Sequence, residues 1–183
     1  MRSQMQAKSS MKKKGADMKK KTANMGLFLA FALILSYVES LIPFYFGAPG
    51  IKLGLANLAV ILVLYGYGWK EALLLNVMRV FLTGFLFGNL FMIMYSLAGA
   101  LSSFLIMCLL KKIKGFSLMG VSMAGGVFHN IGQILVACFV TKTAGVVFYL
   151  PILLAAGLLT GLLIGLLGQK VLKYIGKEPM DKI

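Results

Sequence analysis

Residues 146–167 read VVFYLPILLAAGLLTGLLIGLL, an apolar run without a charged residue. A helix needs about 20 predominantly apolar residues to cross the hydrocarbon core of a bilayer, and this run has that length. Five further predominantly apolar runs lie at residues 25–42, 51–67, 72–87, 90–110 and 118–140. The 183-residue chain is 60% hydrophobic and 13% charged, which excludes a soluble enzyme, a secreted disulfide scaffold and a disordered chain. The pattern predicts an all-α integral membrane protein, a bundle of six transmembrane helices.

The charges are strongly lopsided, with 19 basic residues against 5 acidic ones and a net charge of +14. If the N-terminus is cytoplasmic, six spans place sixteen of the basic residues on the cytoplasmic side, in both tails and two short turns. This asymmetry follows the positive-inside rule. We therefore expect a multi-pass protein of the bacterial cytoplasmic (inner) membrane, with both termini cytoplasmic and its basic segments against the lipid bilayer rather than nucleic acid.

Three segments are expected along the chain. Residues 1–24 hold eight basic residues and are predicted to form a disordered cytoplasmic tail. Residues 25–170 form the six-helix transmembrane domain, and residues 171–183 form a short cytoplasmic C-terminal tail.

Small residues recur at a spacing of four, which lets helix backbones approach closely in a membrane. Gly157, Gly161 and Gly165 form one such row in the last span, and Gly26 and Ala30 form another in the first. Each row either packs within the bundle or faces a partner helix.

Polar side chains at membrane depth are costly and are therefore candidates for binding a substrate. Arg79 is the most informative, because it lies in mid-span with Asn76 one turn away on the same face. It needs a carboxylate such as Glu39, backbone carbonyls, or a ligand. Lys52 either pairs with Glu39 across the loop 43–50 or binds an anionic group of a ligand. The full set of candidate substrate-binding residues is Glu39, Lys52, Asn57, Arg79, Asn89, His129, Asn130 and Gln133.

His129, Asn130 and Gln133 lie at spacings that favour one polar face of the fifth span. Their side chains donate and accept hydrogen bonds without fixed charge, which suits a polar small molecule. The sequence contains no P-loop, no paired carboxylates and no Cys/His cluster. We therefore expect no catalytic residues, no cofactor and no metal site.

Several motifs resemble the bacterial family called Gx transporters, also labelled heptaprenyl diphosphate synthase component I. The elements that carry the resemblance are Glu39-Ser40-x-Ile42-Pro43, the run from Gly50 to Asn57, Arg79, Phe87-Gly88-Asn89, Tyr95-Ser96-x-Ala98-Gly99 and His129-Asn130-x-Gly132-Gln133. The family in turn resembles the six-helix S components of energy-coupling factor (ECF) transporters. An S component binds a small solute between the outer ends of its helices, beneath the loop that joins the first two.

The resemblance implies a membrane-embedded substrate-binding subunit for uptake of a small, anionic organic solute. It makes Phe44, Tyr45 and Phe46 a lid, and it implies a membrane coupling subunit, facing Gly26 and Ala30, and two cytoplasmic ATPases as partners. The alternative is a non-catalytic accessory subunit of heptaprenyl diphosphate or quinone biosynthesis. Prenyl diphosphate synthases hold magnesium with clusters of aspartates, whereas this chain has only Asp17 and Asp181, one in each tail. We therefore do not expect an enzyme.

Overall fold

The computed structural model describes residues 2–41, 54–142 and 144–175. These residues form six α-helices, a short 3-10 helix and no strand. The helices are α1 (Arg2–Leu41), α2 (Ala56–Gly66), α3 (Trp69–Phe87), α4 (Leu90–Leu110), α5 (Leu118–Thr141) and α6 (Leu150–Tyr174), and the 3-10 helix covers Ala144–Tyr149. The predicted all-α class and the six helices are confirmed.

Within the described residues, four segments are long and apolar enough to cross a membrane: Lys13–Leu41, Leu90–Leu110, Leu118–Thr141 and Gly145–Tyr174. Helix α3 carries three charged residues, Lys70, Glu71 and Arg79. Helix α2 has 11 residues, seven of them buried, and at about 1.5 Å per residue it is shorter than a hydrocarbon core of about 30 Å. A multi-pass membrane protein is therefore supported, and the count of six spans stays a prediction.

Helix α1 is continuous from Arg2 and includes residues 2–24, and the division of the chain into a cytoplasmic tail over residues 1–24 and a transmembrane domain stays a prediction. Residues 2–24 are rich in Lys, Met, Gln and Ala, which all favour a helix. Low hydrophobicity prevents this segment from forming a core but does not prevent a helix. At about 1.5 Å per residue, the part before Lys21 is about 28 Å long.

Three contacts gather basic segments at one end of the bundle, here called the basic end. Lys21 on α1 forms an ion pair with Glu71 in the first turn of α3. Lys111, directly after α4, donates to the Leu64 carbonyl of α2 at 2.6 Å, and its ammonium lies 4.6 Å from the Tyr65 ring centre. The sequence predicted that these segments lie on the same side of the membrane, and the structure brings them together. Which side the basic end faces stays a prediction.

Helices α4, α5 and α6 pack closely, because glycine removes the side chains between them. A Cβ atom on Gly126 of α5 would lie 2.2 Å from the carbonyl oxygen of Gly157 on α6. On the other side of α5, a Cβ on Gly99 of α4 would lie 2.8 Å from the His129 carbonyl oxygen. Helix α2 and its neighbours enclose the largest apolar cluster, which includes Ile61, Leu64, Leu118 and Leu172.

Candidate functional site

The guanidinium of Arg79, midway along α3, donates hydrogen bonds to two asparagines that belong to different helices. Its Nη2 donates to Asn76 Oδ1 at 2.8 Å and to Asn57 Oδ1 of α2 at 3.2 Å. The Asn76 contact was expected, because residues three apart share a helix face. The Asn57 contact depends on how α2 and α3 pack, and it brings two predicted site residues together.

Asn76 is held in place by a second helix. Its side chain is 2% exposed, and its Nδ2 donates to the Ala100 carbonyl of α4 at 3.1 Å. With the nitrogen committed to α4, the amide oxygen points to Arg79. Asn76 therefore fixes the orientation of the guanidinium. Without such a contact, a long arginine side chain rarely keeps a single orientation.

Glu39 reaches the same region from the end of α1. Its Oε1 accepts a hydrogen bond from the backbone N–H of Gly54 at 2.5 Å, so it joins the end of α1 to the start of α2. Gly54 has a φ of +68°, a left-handed conformation that favours glycine. Glu39 also attracts Arg79 electrostatically. Among the described residues, however, the ion pair within 4 Å joins Lys21 to Glu71, so Glu39 acts on Arg79 from a longer distance.

Two buried groups on α3 make no hydrogen bond to any described residue: Nε of Arg79 and the hydroxyl of Thr83. Residues 79 and 83 are one turn apart on the same face of the helix. Sequence reasoning missed Thr83, because threonine in a membrane helix usually satisfies its hydroxyl on its own backbone. Its spacing from Arg79 was the available signal.

The predicted polar face of α5 is divided between two neighbouring helices. Gly99 of α4 packs against both His129 and Gln133, and Gln133 is 1% exposed. Asn130 instead points to α6, where its Nδ2 donates to the Leu153 carbonyl at 2.5 Å. The expectation that all three side chains share one face is therefore corrected: residues 129 and 130 are about 100° apart around a helix.

A small cavity lies where α2, α4, α5 and α6 meet, with room for about one water molecule. Its polar lining residues are Asn57, Ser103, Ser122 and Thr160. Asn57 connects the cavity to Arg79, since its amide oxygen accepts from the guanidinium. The three hydroxyl residues were not among the predicted site residues.

The remaining predicted site residues have other surroundings. Asn89 is exposed and caps α4, its side chain accepting from the Met92 N–H at 2.9 Å, which is a common role for asparagine at this position. Lys52 and the predicted lid residues Phe44, Tyr45 and Phe46 lie outside the described residues. The loop 43–50 is likewise not described.

The two small-residue rows differ in what they face. Cβ atoms on Gly157, Gly161 and Gly165 would each lie 2.6–2.8 Å from backbone atoms of α5, so this row packs inside the bundle. Gly26 and Ala30 are exposed, and a Cβ on Gly26 would meet no atom of the described residues within 4 Å. Of the two rows, only the one on α1 is open to a partner helix.

A family model described as heptaprenyl diphosphate synthase component I matches residues 28–171. The match begins in the apolar part of α1 and ends in the last turns of α6, so it includes Arg79, its two asparagines and the α5 cluster. No curated protein and no solved structure gives a significant match. The resemblance drawn from the sequence motifs is confirmed in its second label, and the chain belongs to the heptaprenyl diphosphate synthase component I family.

Proposed function

We propose that this protein is a membrane-embedded substrate-binding subunit for uptake of a small, anionic organic solute. The observation that carries the proposal is the set of partners of Arg79. Within a helix that packs in the bundle, its guanidinium donates to two neutral amide oxygens, and its Nε has no hydrogen-bond partner among the described residues.

That arrangement is energetically costly for Arg79. A charged side chain near the middle of a bilayer costs several kcal/mol, about 2.5–3.5 on insertion scales, and an unsatisfied buried N–H adds about 1–3 kcal/mol. Amide oxygens orient the guanidinium but do not neutralise it. Glu39 attracts the guanidinium from beyond 4 Å, whereas an anion that binds Arg79 directly supplies negative charge and an acceptor together.

The position of Arg79 is consistent with entry of a solute from the end opposite the basic end. Glu39 and Gly54 lie where α1 ends and α2 begins, and Asn57 follows within one turn of Gly54. If the basic end is cytoplasmic, as the positive-inside rule predicts, this opposite end of the bundle faces outward. By resemblance to S components, a coupling subunit would contact the open row of Gly26 and Ala30, and two ATPases would supply the energy.

Native mass spectrometry of the protein purified in a gentle detergent tests this proposal. We expect an anionic small molecule to copurify with the parent and to be absent from Arg79→Gln. The matched control is Lys114→Gln, which removes the same charge from an exposed turn and should keep the ligand. Size-exclusion chromatography monitors the folding of each variant. Arg79→Lys, which retains the charge, controls for a folding defect in Arg79→Gln. Equal ligand in the parent and in a folded Arg79→Gln variant would refute the proposal.

A second candidate function is a non-catalytic membrane subunit that docks a cytoplasmic enzyme of isoprenoid or quinone biosynthesis. The family description favours it, and so does the basic helical segment before Lys21, whose described lysines are exposed. A shortened protein beginning at Met18 discriminates the two functions. Loss of prenyl diphosphate synthesis in membranes, with ligand binding unchanged, supports docking. Docking is contradicted if prenyl diphosphate synthesis is unchanged both in membranes that carry the shortened protein and in membranes of a strain that lacks this protein.

A further inference from the structure

We propose that the anionic group bound by Arg79 is a single carboxylate, and that Thr83 is its second ligand. This inference rests on the proposed function and names the chemistry of its substrate. It assigns a binding role to a residue that neither the sequence motifs nor the family description singles out.

The first observation is a count of donors. A guanidinium carries five N–H groups, and the described hydrogen bonds of Arg79 all start from Nη2. The hydrogens on Nε and Nη1 have no acceptor among the described residues, and Nε is fully buried. Asn57 and Asn76 therefore both accept from one nitrogen of the guanidinium, and the other two nitrogens remain available to a ligand.

The second observation is that Thr83 behaves unlike the other threonines of the described helices. Thr22 and Thr141 donate to the carbonyl four residues earlier, at 3.1 and 2.8 Å, and Thr160 donates to the carbonyl three residues earlier. This backbone bond is the usual solution for threonine in an apolar helix. The residue four before Thr83 is Arg79, yet the buried Thr83 hydroxyl has no hydrogen-bond partner among the described residues.

The two unsatisfied groups point to one shared partner. They are one helical turn apart on one face of α3, and they do not bond to each other. A carboxylate has two acceptor oxygens and no donor, so one oxygen can accept from the guanidinium and the other from the Thr83 hydroxyl. A single water molecule is the competing occupant, which the experiment below separates.

Charge favours a carboxylate over a phosphate. The described charges near this position are the guanidinium of Arg79 and the carboxylate of Glu39, which attracts it. A phosphate monoester would add about 1.5 to 2 negative charges beside Glu39 at neutral pH, whereas a carboxylate would add one. The smaller charge of a carboxylate is therefore repelled less by Glu39, and its two oxygens allow one contact to the guanidinium and one to the Thr83 hydroxyl.

The experiment uses the arginine reagent phenylglyoxal on the full chain in lipid nanodiscs. The sequence contains two arginines, so peptide mass spectrometry follows Arg79 while Arg2 reports the reagent concentration. The probes are hexanoate, the isosteric neutral hexanamide and inorganic phosphate. At ten times its Kd, hexanoate should slow modification of Arg79 about elevenfold, because the unliganded fraction falls by that factor. Hexanamide and phosphate should not protect.

Two variants isolate the role of Thr83. Thr83→Val keeps the shape and removes the hydroxyl, so protection by hexanoate should need about tenfold more ligand, whereas Thr83→Ser should retain the parent Kd. Equal protection in Thr83→Val and Thr83→Ser would remove Thr83 from the site. Folding of each variant is checked by the unchanged modification rate of Arg79 without ligand.

The outcomes separate this inference from the function on which it rests. Protection by phosphate and not by hexanoate overturns the carboxylate but leaves an anion-binding subunit. Protection by neither probe, with Arg79 reactive, favours a bound water and overturns the inference. An unreactive Arg79 means that no small solute reaches the guanidinium, and the proposed function then fails as well.

Discussion

The packing of α5 against α6 makes a sharp prediction at Gly157. An alanine Cβ there would lie 2.6 Å from the Gly126 carbonyl oxygen and 2.8 Å from Nδ2 of Asn130. The first distance is about 0.8 Å below the 3.4 Å at which ordinary contacts begin. The obstructing atoms are backbone atoms and an amide that is hydrogen-bonded to α6. The two helices must therefore separate, because no flexible side chain can move aside.

The magnitude follows from three opposing effects. Overpacking costs about 1–3 kcal/mol, and weakening of the Asn130 hydrogen bond adds about 0.6 kcal/mol, the average for such bonds in a membrane protein. Alanine regains up to about 1 kcal/mol of helix propensity relative to glycine. We expect Gly157→Ala to lower the free energy of unfolding by about 2 kcal/mol, which for a chain of this size lowers Tm by about 4–8 °C.

Thermal unfolding in detergent, followed by fluorescence-detected size-exclusion chromatography, measures this shift. The matched control is Gly26→Ala, the same substitution in a helix where the added Cβ meets nothing within 4 Å. It should leave Tm unchanged or raise it slightly. If Gly157→Ala is as stable as Gly26→Ala, then α5 and α6 do not pack through this glycine and the argument fails.

Three further predictions concern contacts between helices. Asn130→Ala should lower the free energy of unfolding by about 0.6–1.7 kcal/mol through loss of its bond to α6, and a denaturation midpoint equal to the parent's would contradict this. Lys111→Met should lower Tm, because Lys111 contacts α2 through the Leu64 carbonyl and the Tyr65 ring. Lys112→Met, the same substitution at the exposed neighbouring position, should leave Tm unchanged. The hydrogen bond from Lys21 lowers the pKa of Glu71, which lies before the apolar part of α3. The ion pair should add about 0.2–1 kcal/mol to the free energy of unfolding. This stabilisation should be complete above the ordinary glutamate pKa of about 4.3 and should be lost as pH falls through the lower pKa of Glu71 in the folded protein. Glu71→Gln should remove this part of the pH dependence of Tm.

Local spacing explains which parts of the site could be predicted. The contact between Arg79 and Asn76 and the cap of α4 by Asn89 lie within one turn of helix, where geometry depends only on residue number. The helical conformation of residues 2–24 follows from a related local property. Absence of a hydrophobic core says nothing about local helix propensity, which is high in residues 2–24.

Contacts between helices could not be predicted, because they depend on the rotation and the depth of each helix. Rotation sends His129 towards α4 and Asn130 towards α6, although they are adjacent in the chain. Depth brings Asn57 of α2 level with Arg79 of α3. The same two variables place the glycine row of α6 inside the bundle and leave Gly26 exposed.

The sequence alone determined that this chain is helical and carries segments apolar enough to cross a membrane, and it predicted one arginine and a few amides at membrane depth. Composition and charge suffice for that conclusion, because the bilayer excludes most polar groups whatever the packing. Only the tertiary structure decided which of those groups meet. It joined Asn57 and Asn76 on one nitrogen of Arg79 and left the buried Thr83 hydroxyl without a hydrogen-bond partner in the part of the chain that the structure describes, since satisfaction of a buried polar group depends on every helix that surrounds it.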